Sequence, residues 1–255
     1  MGKSVSLLRK RQDEFEGNLI AAAPGTHQAV AEALQRYSDF DTPVLDFGCY
    51  TGAMLKRLKS KGYSNLWGSD LVSNLEADSD FRFTAADLNR DFSDNFEGRR
   101  FGAVVASEVI EHLNDPRHFL KHCYKLLDSN GVIVISTPNI AFFEGRIKFF
   151  LKGELWGFGA NNYNENRHIS PISREQTPLM LQECGFDLLE MFTTATFATP
   201  LRKVLTLPLW APMRALFGPS ILGESLVFVA RRKDTLVENA HGQWDKPITV
   251  NDAAA

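Results

Sequence analysis

The stretch Pro43 to Gly52, PVLDFGCYTG, constrains this chain more than any other. Val44, Leu45 and Phe47 read as a short apolar strand that stops at Asp46–Gly48 and passes into a helix after Gly52. An open parallel sheet builds a nucleotide crevice this way. Ligands sit beyond the carboxyl ends of its strands, and only glycine lets backbone and ligand approach closely. The remainder of the chain reads as further strand–helix units laid beside this one.

A helix over Thr26–Tyr37, with Val30, Ala33, Leu34 and Tyr37 at helical spacing, precedes that strand. After the glycine turn, Ala53–Ser60 reads as a helix capped by Gly62. Further strands are predicted at Asn65–Ser69, Phe81–Ala86, Phe101–Ser107, Val132–Ser136, Phe186–Phe192 and Ser225–Ala230. The continuous apolar run of Phe101–Ser107 suits a strand buried on both faces. Asp115-Pro116 opens a helix whose inner stripe is Phe119, Leu120, Cys123, Leu126 and Leu127. Ser173 and Gln176 stand at capping-box spacing before a helix ending at Gly185. Residues 1–25 read as an irregular or partly helical lead-in, 26–232 as one domain, and 233–255 as a loose tail. Within the domain, 139–170 (a helix, then a loop over the working edge) and 195–222 read as insertions.

At 255 residues the core is ample, and 44% hydrophobic with 23% charged residues is ordinary for a globular protein. The net charge of −3 argues against a nucleic-acid partner. Cys49, Cys123 and Cys184 have neither metal nor redox spacing and suit reduced thiols, hence a cytoplasmic setting. The start, Met1 to Ser6, fits the short myristoylation pattern.

Asp46, Asp70 and Asp87 each close a predicted strand. A single such Asp is usually a turn former, but three in successive units beside a glycine turn point to a nucleoside-type ligand. Asp70 stands near the spacing at which a carboxylate accepts from a ribose hydroxyl. A dinucleotide fingerprint is not supported, because Tyr50 and Ala53 occupy two of its three glycine positions. No Gly-Lys-Ser/Thr follows the strand, so a Walker phosphate loop fails as well.

With Val44–Gly52, Asp70, Ala86-Asp87-Leu88-Asn89, Ser107–Leu113 and Gly131–Asn139 together, the chain resembles the class I S-adenosylmethionine-dependent methyltransferases. The resemblance implies an α/β, Rossmann-like doubly wound sheet of seven strands, mostly parallel, with the last strand antiparallel. It implies S-adenosyl-L-methionine on Asp46, Gly48, Cys49, Tyr50, Thr51 and Gly52, with the ribose on Asp70 beside Leu71. The adenine would lie near Asp87 and Leu88, and Ser107 and Glu108 would complete the pocket. Tyr50 departs from the family, which usually has glycine there; its ring either points away or shapes the pocket.

If a helical turn follows Ser107, then Glu108, Glu111 and His112 share one face by i, i+3 and i+4 spacing. Two carboxylates and an imidazole can bind a divalent cation or serve as acid and base. His168, in the loop over the same edge, is a fourth candidate. This ExxEH string with a later histidine resembles the ubiquinone-biosynthesis O-methyltransferases and the small-RNA 3′-terminal 2′-O-methyltransferases. That resemblance implies Mg²⁺ on Glu108, Glu111, His112 and His168; the competing reading has solvated glutamates and a packed histidine. His118 and His122 read as surface or packing residues.

Residues 195–222 are apolar, broken by Pro200, Pro208, Pro212 and Pro219, and too interrupted for a membrane span. A lid over an apolar acceptor, a homodimer interface and a helix resting on a membrane surface all remain open. The leading function is O-methylation of a small, partly apolar or glycan-like acceptor. The alternatives are an RNA 2′-O-methyltransferase and a catalytically silent cofactor-binding protein.

Overall fold

A computed structural model of the chain describes residues 14–76, 79–196 and 200–234. The myristoylation-type start and the tail after Asp234 lie outside the described residues.

In chain order the elements are β1 (Glu14–Phe15), β2 (Asn18–Leu19), α1 (Thr26–Gln35), β3 (Val44–Phe47), α2 (Ala53–Ser60), β4 (Leu66–Asp70) and β5 (Arg82–Ala85). There follow β6 (Phe101–Ser107), α3 (Pro116–Leu126), β7 (Leu127–Pro138), α4 (Phe143–Lys152) and α5 (Thr177–Glu183). The chain continues through β8 (Phe186–Thr196), α6 (Pro200–Leu205), α7 (Leu207–Phe217) and β9 (Gly223–Arg232). The main sheet has seven strands in the order β5-β4-β3-β6-β7-β9-β8. β3 to β7 pair in parallel, whereas β9 runs antiparallel to both neighbours. This is the doubly wound sheet expected from the sequence, with its last strand reversed.

Alternation along the central strands sorts the two faces. Leu45, Phe47, Val104, Ala106, Ile133 and Ile135 point into one buried cluster with Phe119, Leu120 and Leu181 from α3 and α5. Val44, Ala103, Val105, Val132 and Val134 point into the other, against Val30 and Leu34 of α1 and Leu55 and Leu58 of α2. Under β3, Phe47 meets Phe92 and Phe119 edge-on at ring distances of 5.2 and 5.6 Å, a favoured aromatic geometry. By parity Asp46 belongs to the face that carries α1, and it is buried there.

The structure differs from expectation at three places. The lead-in holds the hairpin β1–β2, and Asn18 Nδ2 donates to the Thr51 carbonyl, so this hairpin straps the glycine turn. Helix α5 begins only at Thr177, because Ser173 Oγ caps the preceding turn by accepting from Gln176 N at 3.1 Å. Residues 195–222 hold two short helices, and α7 continues through Pro212. Among the described residues no helix is long and apolar enough to cross a membrane.

Candidate active site

The carboxyl ends of β3, β4 and β6 surround a cavity of about 310 Å³. Gly48 leaves β3 at φ +67°, where a side chain is strained, and its N–H donates to the Ser69 carbonyl at 2.8 Å. A Cβ on Gly48 would lie 2.6 Å from Val109 Cγ2, so the turn can pass under Val109 only with glycine here. Cys49 is buried against Gly68, and burial pushes its thiol well above the ordinary range. Thr51 and Gly52 shape the bend without lining the cavity: Gly52 N donates back to the Cys49 carbonyl at 2.7 Å.

Tyr50 carries the backbone through φ +45° and is 43% exposed. Tyr50 is among the residues lining the cavity. The backbone N–H of Tyr50 donates to Asp70 Oδ2 at 3.0 Å, and Leu71 N–H donates to Asp70 Oδ1 at 2.7 Å. These two bonds aim the Asp70 carboxylate along the cavity wall. Asp87 is held by Asn89 N–H at 3.0 Å and by Arg90 Nε at 3.1 Å. Asp87 and Leu88 line the far end of the same cavity, and Ser107 lines its floor.

Asp46 is the most unusual of the three acids. It is 2% exposed, and its buried Oδ2 has no hydrogen-bond partner. Burial, and secondly the neighbouring Asp70 carboxylate, raises it well above the ordinary carboxylate range. A buried acceptor without a donor is costly. In this position it suits a ligand that brings a cationic donor into the cavity.

The opposite wall carries the acid–histidine group. The chain leaves β6 through Glu108 at φ +56° and makes only one 3₁₀ turn, Ile110–His112. The i, i+3, i+4 face expected from a helical turn therefore does not form at Glu108. Its Oε1 instead accepts from Ser136 Oγ at 3.1 Å, and the residue stands apart from the cluster that Glu111 joins. The carboxyl is walled in although the residue as a whole is half-buried. Burial pushes it up to about 7, with the Ser136 and Ser225 hydroxyls pulling it down and Glu224 adding to the rise.

Glu111, His112 and His168 come together, with one potential ligand atom from each lying within 4.8 Å of the others. The two imidazole rings meet edge-on at 4.8 Å. Backbone bonds enforce the meeting, since Ile169 N and Ser170 N both donate to the Glu111 carbonyl at 2.9 Å. His168 Nδ1 lies 2.8 Å from the Gly157 carbonyl, which leaves its Nε2 free to face His112. Glu111 is fully buried, and its carboxylate makes no well-formed hydrogen bond, the nearby Thr137 hydroxyl only pulling its raised value down. Burial, then the Glu108 carboxylate, holds Glu111 well above the ordinary range. Burial lowers both histidines, so they are neutral at pH 7. His112 and Glu108 line the cavity, whereas Glu111 and His168 stand behind His112.

Sequence reasoning missed His27. It lines the cavity from the first turn of α1, its buried Nδ1 lacks a hydrogen-bond partner, and burial with the Arg57 charge brings it down to about 3. Leu19 and Ala21 line the cavity as well, so the lead-in completes the pocket. The Pro24-Gly25 break before α1 was the available signal, because it sets the first helical turn beside the glycine bend.

A glycine bend at the carboxyl end of β3, an acidic residue ending β4 and a reversed last strand define the class I methyltransferase fold. Comparison with known proteins places the chain within it. The family described as "Methyltransferase domain" matches residues 20–191, and the chain belongs to that family. Over 100 residues it is 35% identical to a ubiquinone biosynthesis O-methyltransferase of Bradyrhizobium diazoefficiens, covering 38% of this chain and 40% of that protein. The chain spans two fifths or less of the length of the curated relatives it matches, at 40, 30 and 36%. The structure of a SAM-dependent methyltransferase from Archaeoglobus fulgidus superposes with a TM-score of 0.54 at 19% identity, covering 81% of this chain and 94% of that one. Magnesium protoporphyrin IX methyltransferase from Synechocystis, solved with bound SAH, superposes at 0.53 with 16% identity, covering 82% of each chain. At these identities the two structures bear on the fold.

The cavity's own residues fit S-adenosylmethionine: an orphaned buried carboxylate at Asp46, a glycine cradle at Gly48, and oriented acceptors at Asp70 and Asp87. Glu111, His112 and His168 fit a divalent cation, since a buried carboxylate without a well-formed hydrogen bond faces two neutral imidazoles. One carboxylate with two imidazoles suits a borderline transition dication better than Mg²⁺, which prefers oxygen ligands.

Proposed function

We propose that the protein transfers the methyl group of S-adenosylmethionine to a hydroxyl oxygen of a small, partly apolar acceptor. One observation carries this reading: a single cavity is lined both by the acceptors Asp46, Asp70 and Asp87 and by His112. The protein's relatives among the O-methyltransferases of ubiquinone biosynthesis favour oxygen as the target and an apolar acceptor. Phe149, Phe150 and Leu151 on α4, with Leu216 and Phe217 on α7, leave apolar surface exposed on these helices. Arg146 stacks over Phe217 at 4.4 Å and joins these two helices.

When bound, the cofactor supplies an electrophilic sulfonium methyl, and the protein's task is alignment and proton removal. Asp46, whose buried Oδ2 lacks a donor, would hold the cofactor's ammonium, which would favour the ionised carboxylate. Asp70 would hold the ribose hydroxyls, and Asp87 and Leu88 would hold the base. His112, kept neutral by burial, takes the acceptor's proton at an imidazole nitrogen. Behind it, His168 and the Ile169 and Ser170 backbone fix the ring's position. A divalent cation on Glu111, His112 and His168 would supply Lewis-acid polarisation in place of that proton transfer, since a ligating His112 nitrogen would no longer serve as the base.

The test is release of S-adenosylhomocysteine from S-adenosylmethionine, with phenolic and aliphatic hydroxyl acceptors, with and without chelator. Acceptor-dependent release is expected. Tight nucleoside binding with no release to any acceptor would leave a binding protein; release to amines alone would overturn the oxygen assignment.

A further inference from the structure

A second group of side chains able to ligate a metal lies outside the cavity, on α3 and on the segment between β5 and β6. His118 and His122 stand one turn apart on the same face of α3, with ring centroids 4.4 Å apart. Asp91 approaches from the segment that follows the cavity-lining Asp87–Asn89. Its Oδ1 lies 3.3 Å from His122 Nε2 and 3.9 Å from His118 Nε2. One ligand atom from each of the three residues falls within 4.8 Å of the others.

We propose that Asp91, His118 and His122 form a binding site for a transition-metal dication of the Zn²⁺ class. Two imidazoles and one carboxylate, with solvent beside the exposed Asp91 for a fourth ligand, match the donor set such ions take. His122 is buried, and its outer nitrogen is already served: Nδ1 lies 2.8 Å from Ser93 Oγ and 3.3 Å from Ser93 N. Without metal, the ring carries its proton on Nε2 toward Asp91 and accepts the Ser93 N–H at Nδ1. With metal, the proton sits on Nδ1, Ser93 Oγ accepts it, and Nε2 offers its lone pair to the ion. The ring finds a partner at Nδ1 in either tautomer without moving, although the Ser93 N–H gives up its acceptor when the proton sits there; such an outer-shell partner fixes a metal-binding imidazole. His118 Nε2 is 2.8 Å from the Arg90 carbonyl and would exchange that contact for the metal bond. An ion here would tie the 87–96 segment, which walls the cavity's far end, to α3.

The experiment uses the whole chain titrated with Co²⁺ and Zn²⁺ in a His168→Ala background, which disables the cluster beside the cavity. Visible Co²⁺ absorption should report one bound ion, and Zn²⁺ should raise the melting temperature. Asp91→Asn and His118→Gln, both on exposed or partly exposed positions, should each weaken Co²⁺ binding about tenfold or more. Neither should change melting in EDTA. Two results overturn the proposal: no Co²⁺ uptake in the His168→Ala background, or uptake there with unchanged affinity in both variants.

Discussion

Replacing Gly48 with alanine makes two separable demands on the bend after β3. The first is conformational: at φ +67° an L-residue costs about 1–2 kcal/mol. The second is steric, since the new Cβ would lie 2.6 Å from Cγ2 of buried Val109, a branched side chain with little freedom to turn away. Overpacking of this kind costs about 1–3 kcal/mol, so Gly48→Ala should lose about 2–5 kcal/mol in total. Val109→Ala alone should cost about 1–2 kcal/mol through lost packing. In the double variant the steric part vanishes and the conformational part stays. A double-mutant cycle by urea unfolding should therefore return about 1–3 kcal/mol of favourable coupling between positions 48 and 109. Affinity for S-adenosylhomocysteine, measured by calorimetry, should fall in Gly48→Ala and recover partly in the double variant. A coupling under about 0.5 kcal/mol would refute the claim that Gly48 exists to let the turn pass beneath Val109.

Asp46→Asn should reduce S-adenosylhomocysteine affinity about 10–100-fold by removing a charge-assisted acceptor, while stability above pH 5 stays level or rises. The sign follows from its raised value: the native protein favours the protonated acid, so stability is lost as pH climbs above the unfolded value, and asparagine removes that loss. His112→Ala should lower turnover by about 100-fold or more with nucleoside affinity nearly intact; equal losses in both would remove it from proton transfer. Because burial depresses His112, kcat/KM should hold from pH 7 down to 6.5 and fall only on further acidification. His27, held down at about 3, leaves the unfolded chain binding an extra proton between about pH 6.5 and 3, so stability drops as pH falls through that window. His27→Gln should flatten the drop in urea midpoint between pH 7 and 5; an unchanged slope would contradict the buried, unpartnered ring.

The sheet was legible because its strands are written as apolar runs with little competing signal. Val44–Phe47, Phe101–Ser107 and Val132–Ser136 are near-continuous runs, as strands covered on both faces must be, and all three are central. The strand-end aspartates were readable for the same reason, since a strand's end fixes where its next side chain emerges. Glu108 was not readable: spacing assumed a helical turn, but the chain leaves β6 at φ +56°, and a hydroxyl on β7 captures the carboxylate. The hairpin Glu14–Leu19 escaped because two-residue strands have no period, and with it went the pocket role of Leu19 and His27. His118 and His122, four apart on α3, read in sequence as surface or packing residues. Asp91 did not read as their neighbour, because only the fold brings that loop over α3.

Calorimetric titration of the purified chain with S-adenosylhomocysteine, followed by a crystal structure of the complex, decides whether the cavity is a cofactor site. One bound nucleoside is expected, its amino group at Asp46, its sugar at Asp70 and its base beside Asp87 and Leu88. No measurable affinity, with the Tyr50 ring swung into the hollow, would contradict it.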